Sequence, residues 1–458
     1  MPSRPVRSPP GGGSRTAVGR VRDASLRAEP VAPATLTVVG IDAADGPSRP
    51  GLAEALDGAG LVVGAARHLA TVPVPAGCAT VTLGPLAPAL ERIARAVTDG
   101  VPAVVLASGD PGLFGIVRRL RAAGLTPRVL PAVSSVAAAF ARAGRSWDDA
   151  AVVSAHGRDL RPALNACRAL PAVAVLTAPG AGAAEIGAGL VGWSRRLVVA
   201  ENLGTDAERV VETTPADAAA RVWSDPHVLL CLAEPADDSP TGADATSDAT
   251  SDATSGAGAS AGAGMRRDNQ PAAAPAGGWA LPESAYAHRA SMITKPEVRA
   301  LAVARLRPRL GRLVWDIGAG SGSVGIECGL LGAAVVAVDR DPDAAALIRS
   351  NAQAHRVDVR VVTGAAPAAL AGLPEPDAVF VGGGGPGVLA AVAERRPGRV
   401  VVTLAAVDRV GPAVTLLRAA GYAVDGVQLA AARLADLPGG SIRLAATNPV
   451  VVLTGERQ

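Results

Sequence analysis

Three glycines at alternate positions, Gly318, Gly320 and Gly322, lie in the segment Asp316-Ile-Gly-Ala-Gly-Ser-Gly322, between an apolar run at 313–315 and a helical run at 323–331. Without β-carbons the backbone there can turn tightly and approach a ligand closely. Asp339 closes the next apolar run, 335–338. A carboxylate in that place can accept hydrogen bonds from both hydroxyls of a ribose. A lone glycine-rich turn is weak evidence, but a turn and an acid, each at a strand end, point to a nucleoside. The bland alternative is a turn that binds nothing, and the functional rival is a nicotinamide or flavin site. That rival spaces its glycines G-x-G-x-x-G, whereas this chain reads G-x-G-x-G. The acidic Asp316, two places before the first glycine, also favours S-adenosyl-L-methionine.

The first half carries a different set. Ala107-Ser-Gly-Asp-Pro-Gly112 contains Gly109 and Asp110, and Pro131-Ala-Val-Ser-Ser135 contains Ser134 and Ser135. Ser154-Ala-His-Gly-Arg158, Thr177-Ala-Pro-Gly180 and Glu201-Asn-Leu-Gly204 follow. Gly-Asp-Pro-Gly alone is an ordinary turn. Five polar loops at successive strand ends converge on one cleft. His156 reads either as a structural histidine or as a group that pairs a substrate carboxylate or moves a proton. The planar fork of Arg158 suits a carboxylate better. The remaining candidates for chemistry are Lys295, Glu297 and Asp377. The first two read equally well as an ion pair at a helix start, and Asp377 stands at a strand end. The 5 His and 4 Cys lack metal-ligand spacing, so no metal is expected and the thiols read as buried and reduced.

These groups need elements to place them. Apolar runs at 36–40, 61–63, 103–107, 151–154, 172–177, 196–200 and 227–233 read as strands, as do those at 313–317, 334–338, 357–362, 378–381, 399–403 and 450–453. Helical stretches alternate with them, which predicts α/β architecture with parallel sheets covered on both faces and ligands beyond the carboxyl ends of the strands. Residues 1–34 have no hydrophobic period and read as a disordered tail. The stretch 236–278 includes Asp244-Ala-Thr-Ser-Asp-Ala-Thr-Ser-Asp-Ala-Thr and reads as a flexible linker. Two folded parts result, 35–235 and 279–458, and cutting between them should leave two separately folded pieces. Half the chain is apolar (49%) but only 2% aromatic, so Ala, Val and Leu must fill the cores. No run is long enough to span a bilayer and no secretory signal is seen, which predicts a cytoplasmic protein. A net charge of +3 with interspersed signs does not suggest nucleic acid.

Residues 279–458 resemble the decarboxylating corrin methyltransferases of the vitamin B12 pathway. The resemblance rests on Leu281-Pro-Glu-Ser-Ala-Tyr-Ala-His288, Ile293-Thr-Lys-Pro-Glu-Val-Arg299, the glycine segment with Glu327, Val338-Asp-Arg-Asp341, Gly364-Ala-Ala-Pro367 and Asp377-Ala-Val-Phe-Val-Gly-Gly383. It implies a Rossmann-like class I methyltransferase fold with Thr294, Gly318, Asp339 and Ala366 in the cofactor pocket. Many relatives have an acidic or polar residue in place of Ala365, so the adenine contact falls to the backbone or is lost. The first-half loops, with Val38-Val-Gly-Ile41, Val62-Val-Gly64 and Arg67-His68, resemble the tetrapyrrole methylase superfamily, above all its corrin carbon-5 methyltransferases. That implies two αβα lobes with the cofactor between them, lined by Gly109, Asp110, Ser134, Ser135 and Thr177. Asp42 stands where many members have glycine.

Both resemblances imply methyl transfer from S-adenosyl-L-methionine to a precorrin, a small tetrapyrrole, with decarboxylation by the second half. No nucleic-acid or membrane partner is implied, and a homo-oligomer is left open. The rival enzymatic reading, an RNA or protein methyltransferase, lacks the Asn/Asp-Pro-Pro-aromatic segment after Asp377 and any basic patch interleaved with aromatics.

Overall fold

The computed structural model describes residues 36–41, 51–234, 278–289 and 293–457. The expected tail, Asp42 and nearly all of the expected linker lie outside the described residues.

The first sheet collects β1 (Leu36–Ile41), β2 (Leu61–Gly64), β3 (Ala79–Thr82), β4 (Ala103–Ser108) and β5 (Arg128–Leu130) in the order β3-β2-β4-β1-β5, all parallel. Helices α1 (Leu52–Leu56), α2 (Ala66–Thr71), α3 (Leu86–Thr98) and α4 (Ile116–Ala122) link the strands. β1 and β2 are buried along their whole length, because separate apolar clusters pack on the two faces of the sheet. This explains why these strands read as unbroken apolar runs rather than alternating ones.

A second sheet holds β6 (Ala151–Ser154), β7 (Ala172–Leu176), β8 (Arg195–Glu201), β9 (Arg209–Thr213) and β10 (His227–Ala233), ordered β6-β7-β10-β8-β9. It is mixed, which corrects the expectation of parallel sheets throughout. β10 runs antiparallel to β7 and β8, and β9 antiparallel to β8. The seven-residue connection from β8 to β9 has no room for the crossover helix that a parallel neighbour needs. Helices α5 (Ser135–Arg142), α6 (Arg161–Ala169), α7 (Ala183–Leu190) and α8 (Pro215–Ala219) complete this lobe. α5 leaves the first sheet and lays Val136, Ala139 and Phe140 on the second, so the lobes meet around its start.

The third sheet has seven strands: β11 (Leu313–Ile317), β12 (Ala334–Asp339), β13 (Val359–Thr363), β14 (Ala378–Val381), β15 (Arg399–Leu404), β16 (Tyr422–Leu429) and β19 (Val450–Arg457), in the order β13-β12-β11-β14-β15-β19-β16. The first five are parallel, and β19 runs antiparallel to β15 and β16. A hairpin of β17 (Ala432–Asp436) and β18 (Ile442–Ala446) projects between β16 and β19. Helices α9 (Pro296–Leu306), α10 (Ser323–Leu330) and α11 (Pro342–Ala354) belong to one face, and α12 (Gly385–Glu394) and α13 (Val410–Ala419) to the other. Trp193 of the first half is buried in the same apolar cluster as α12, α13 and the centre of this sheet. Among the described residues no helix is long and apolar enough to cross a membrane.

One buried ion pair organises the start of the second half. Arg299 on α9 and Glu327 on α10 are both fully buried, with Nε donating to Oε1 at 2.6 Å. Glu327 also accepts from the backbone N–H groups of Ala280 (2.9 Å) and Leu281 (3.0 Å) and from the Tyr286 hydroxyl (3.2 Å). Arg299 donates in turn to the carbonyls of Thr294 (2.7 Å) and Leu281. A buried pair broken at one end leaves the other charge uncompensated. Glu327→Gln is therefore expected to lower unfolding free energy by about 3–5 kcal/mol, read by urea denaturation.

Candidate functional site

In the second half the glycine segment lies at the carboxyl end of β11. Gly318, Gly320 and Gly322 all have positive φ, at 69°, 57° and 74°. A β-carbon on Gly318 would stand 3.0 Å from the Gly383 nitrogen, while at Gly320 it would meet nothing within 4 Å. Gly318 is therefore closed by the β14 loop, and Gly320 faces open space. Asp339 ends β12 alongside. Its Oδ2 accepts from the Gly320 N–H at 2.8 Å and its Oδ1 from the Asp341 N–H at 3.0 Å. Both oxygens are oriented by the backbone and keep lone pairs for a ligand hydroxyl.

Asp316, the acid before the loop, is 1% exposed. Oδ2 accepts from the Gly325 N–H at 2.8 Å, and Oδ1 is buried without a protein partner. Burial, with the charge of Asp339 adding to it, pushes its pKa from 3.8 up to about 7, against the pull of the Gly325 N–H. It holds the start of α10 from within rather than facing a ligand.

Thr294 and Ala366 are half-buried. The Thr294 carbonyl is held by Arg299, and Ala366 packs against the apolar cluster under the sheet. Ala365 offers its carbonyl to the Ala369 N–H. Lys295 and Glu297 do not pair with each other, contrary to one expectation. Lys295 Nζ bonds Glu283 at 2.6 Å, and Arg433 on β17 grips Glu297 with two nitrogens, at 3.0 and 2.7 Å, and Glu283 at 2.5 Å. Lys295 first and Arg433 second hold the Glu283 carboxyl below its usual range, and Arg433 does the same for Glu297. These charges are committed to one another.

Asp377 is a correction. It precedes β14, so it lies at the amino end of the strands, away from the glycine loop. Its carboxylate accepts from the Leu313 N–H at 2.7 Å and pairs with Arg161 at 3.2 Å. Proximity to a strand was visible in the sequence, but which end of the sheet it occupied depended on where β14 begins.

In the first half, the end of β1 and the loops after β4 and β5 come together. Gly109 has φ 61°, and a β-carbon there would stand 3.3 Å from Ser134 Cα and the Ser135 nitrogen. Asp110 Oδ1 accepts from the Gly112 N–H at 2.7 Å, and Ser134 caps α5 by accepting from the Ala137 N–H at 3.1 Å. From the second lobe, the Arg158 guanidinium lies 5.5 Å over the ring of Phe114 in the loop after β4. His156 and Arg158 are exposed. Thr177 donates its hydroxyl to the His227 carbonyl, which ties it into the second sheet. Gly109, Asp110, Ser134 and Ser135 are thus brought together, with Arg158 reaching the same loop from the opposite lobe.

Two features were named in the sequence only within the motifs that carry the resemblance, without a role. Gly40 is the last residue but one of β1, and a β-carbon there would lie 2.2 Å from the Gly109 carbonyl oxygen and 2.7 Å from the Ala132 nitrogen. Ser108, the last residue of β4, receives Arg67 at 2.7 Å and stands 3.3 Å from His68 Nε2. Burial, then the Arg67 charge, lowers the His68 pKa from 6.5 to about 4, leaving it neutral near pH 7. Forty residues separate His68 from Ser108, and no local spacing signals the pair.

Residues 50–219 match the family profile of the tetrapyrrole (corrin/porphyrin) methylases, and residues 284–453 that of the precorrin methyltransferase domain. Two methyltransferase folds of unlike architecture in series define an enzyme of the C-methyltransferase class. The chain is 39% identical over 338 residues to a precorrin-6Y C(5,15)-methyltransferase (decarboxylating) of Sinorhizobium sp, covering 70% of this chain and 71% of that one. It is 32% identical over 331 residues to the protein of that name from Mycobacterium tuberculosis, covering 68% and 71%. A probable cobalt-precorrin-6B C(15)-methyltransferase (decarboxylating) of Pyrobaculum calidifontis is 38% identical over 171 residues, 35% of this chain and 87% of that one. The chain belongs to the precorrin-6Y C(5,15)-methyltransferase (decarboxylating) family.

Two outcomes follow from this geometry. Gly40→Ala must displace backbone rather than a side-chain tip, and thermal unfolding is expected to register a loss of about 1–3 kcal/mol. Asp316 has a raised folded pKa, so its contribution to stability is complete below pH 4 and is lost as pH rises through about 7. Asp316→Asn should therefore gain on the parent between pH 4.5 and pH 8, by up to about 4 kcal/mol, in paired denaturant titrations.

Proposed function

We propose that the chain methylates carbons 5 and 15 of precorrin-6Y (precorrin-6B) with two molecules of S-adenosyl-L-methionine and removes carbon dioxide from a ring acetate, giving precorrin-8X. The first half serves carbon 5; the second serves carbon 15 and the decarboxylation. The reading places the protein in the cytoplasm, with a small-molecule tetrapyrrole as its partner. The observation that carries it is the Asp339 carboxylate bonded to the Gly320 N–H at adjacent strand ends, beside the open space in front of Gly320.

The residues present fit the cofactor. Asp339 can accept from ribose hydroxyls with lone pairs left after its two backbone bonds, and Gly320 leaves the approach clear of a side chain. Gly109, Asp110 and the Ser134–Ser135 turn form the corresponding cradle in the first half. When bound, S-adenosylmethionine supplies an electrophilic methyl group. The chain's residues need only hold a ring carbon in line with it, and alignment of this kind is worth roughly 7–11 kcal/mol. The corrin precursor is electron-rich and provides the attacking electrons, and its conjugated ring is the electron sink when carbon dioxide leaves. This suits a site whose charged side chains, Lys295 and Glu297 among them, are already paired. Arg158, exposed at the junction of the lobes, is placed to bind a peripheral carboxylate.

Calorimetry on the full chain should find two equivalents of S-adenosylmethionine. Asp339→Ala should weaken one of them about thirtyfold, about 2 kcal/mol, and leave the other unchanged. Mass spectrometry of the product from this variant should then show a singly methylated ring that keeps its acetate. Binding of fewer than two equivalents by the parent would overturn the two-site reading.

A further inference from the structure

The seven-stranded sheet is short of one helix. Between β13 and β14 the chain crosses back to the sheet centre through residues 364–377, which contain only the 3-10 turn Ala368–Leu370. On that face α12 and α13 lie toward β14, β15 and β16, and no helix of the second half lies over β12. Yet Trp315, Ala334 and Val336, whose side chains face that way, are 0% exposed. Their cover comes from the first half. Ala169 of α6 and Trp193, from the turn before β8, pack into this cluster, and Trp193 is 6% exposed.

Polar contacts surround the apolar patch. Arg195, fully buried, donates to the Cys167 and Arg168 carbonyls at 2.6 and 2.7 Å, the last turn of α6, and pairs across with Asp358. Arg161 donates to the Glu375 carbonyl at 2.8 Å and pairs with Asp377, while Asn165 donates to the Gly311 carbonyl at 3.1 Å. In both ion pairs the first half contributes the cation and the second the carboxylate. Gly311 lies so close that a β-carbon on it would meet Pro162 at 3.3 Å.

We infer that α6 and Trp193 act as the missing layer of the second half, so that the two halves are a docked pair whose association does not depend on the connecting segment. The surface uses one sheet face and the amino edge, where Gly311 and Asp377 lie. The loops of Gly109 and Gly320, at carboxyl edges, are left outside it. It runs against the expectation of two separate pieces after cleavage, and it does not rest on the proposed chemistry.

The test uses the full chain with a protease site placed within 240–270. After cleavage at micromolar concentration, size-exclusion chromatography with mass detection should show one peak containing both halves. Two separate peaks would overturn the inference. Trp193→Glu combined with Asp358→Arg, with circular dichroism matching the parent before cleavage, should weaken association at least a hundredfold and give two peaks. Continued co-elution of that variant would place the association elsewhere and remove this surface from the account. Should the double variant misfold, Asp358→Ala alone should raise the dissociation constant of the cleaved halves about tenfold or more. An unchanged constant would count equally against the surface.

Discussion

A sheet made of parallel strands has two apolar faces to cover and one edge free for chemistry, and most of this molecule follows from that constraint. Buried Val-rich strands cannot be left facing water, so helices or a neighbouring lobe must lie on both sides. The strand ends are where loops can gather without a covering layer in the way, and in such sheets ligands sit at the carboxyl ends. Both glycine-containing clusters, around Gly109 and around Gly320, lie there. Where the second half lacks its own helix, the first half supplies one through α6 and Trp193.

Electrostatics divide the molecule into parts that hold shape and parts that face a ligand. The Arg299–Glu327 pair gathers the Leu281–Tyr286 segment, the start of α9 and the middle of α10 around one buried charge couple. Asp316 is buried one step behind the glycine loop, where its ionised form is disfavoured. Asp339, only partly buried, points its oxygens to the outer side of the same loop. Burial separates the roles of the two carboxylates, the inner one fixing backbone and the outer one available to hydroxyl groups. His68 is a parallel case in the first half, kept neutral by its surroundings beside Ser108.

Much of this was legible in the residues. The G-x-G-x-G run and Asp339 stand at the strand ends their spacing implied, and the apolar runs match most central strands. Strand direction in the second sheet was not legible, because a fully buried strand looks alike in either orientation. The short edge strands β3, β5 and β9 and the β17–β18 hairpin escaped for a related reason: their half-exposed residues carry little apolar signal. Asp377 looked like a site residue because the sequence marks strand ends without saying which edge faces the ligand. The partners of Lys295 and Glu297 include Arg433, more than a hundred positions away, and no local pattern reports a contact at that range.

The grip of Arg433 has a mechanical side. Its guanidinium bonds Glu283 ahead of α9 and Glu297 in the first turn of α9, while its own strand belongs to a hairpin whose Leu434, Ile442 and Leu444 are largely exposed. The hairpin is in effect a handle bolted to the start of α9. A molecule that pressed on those apolar side chains would pull on α9 as well, so contact with the hairpin and the setting of α9 share one hinge.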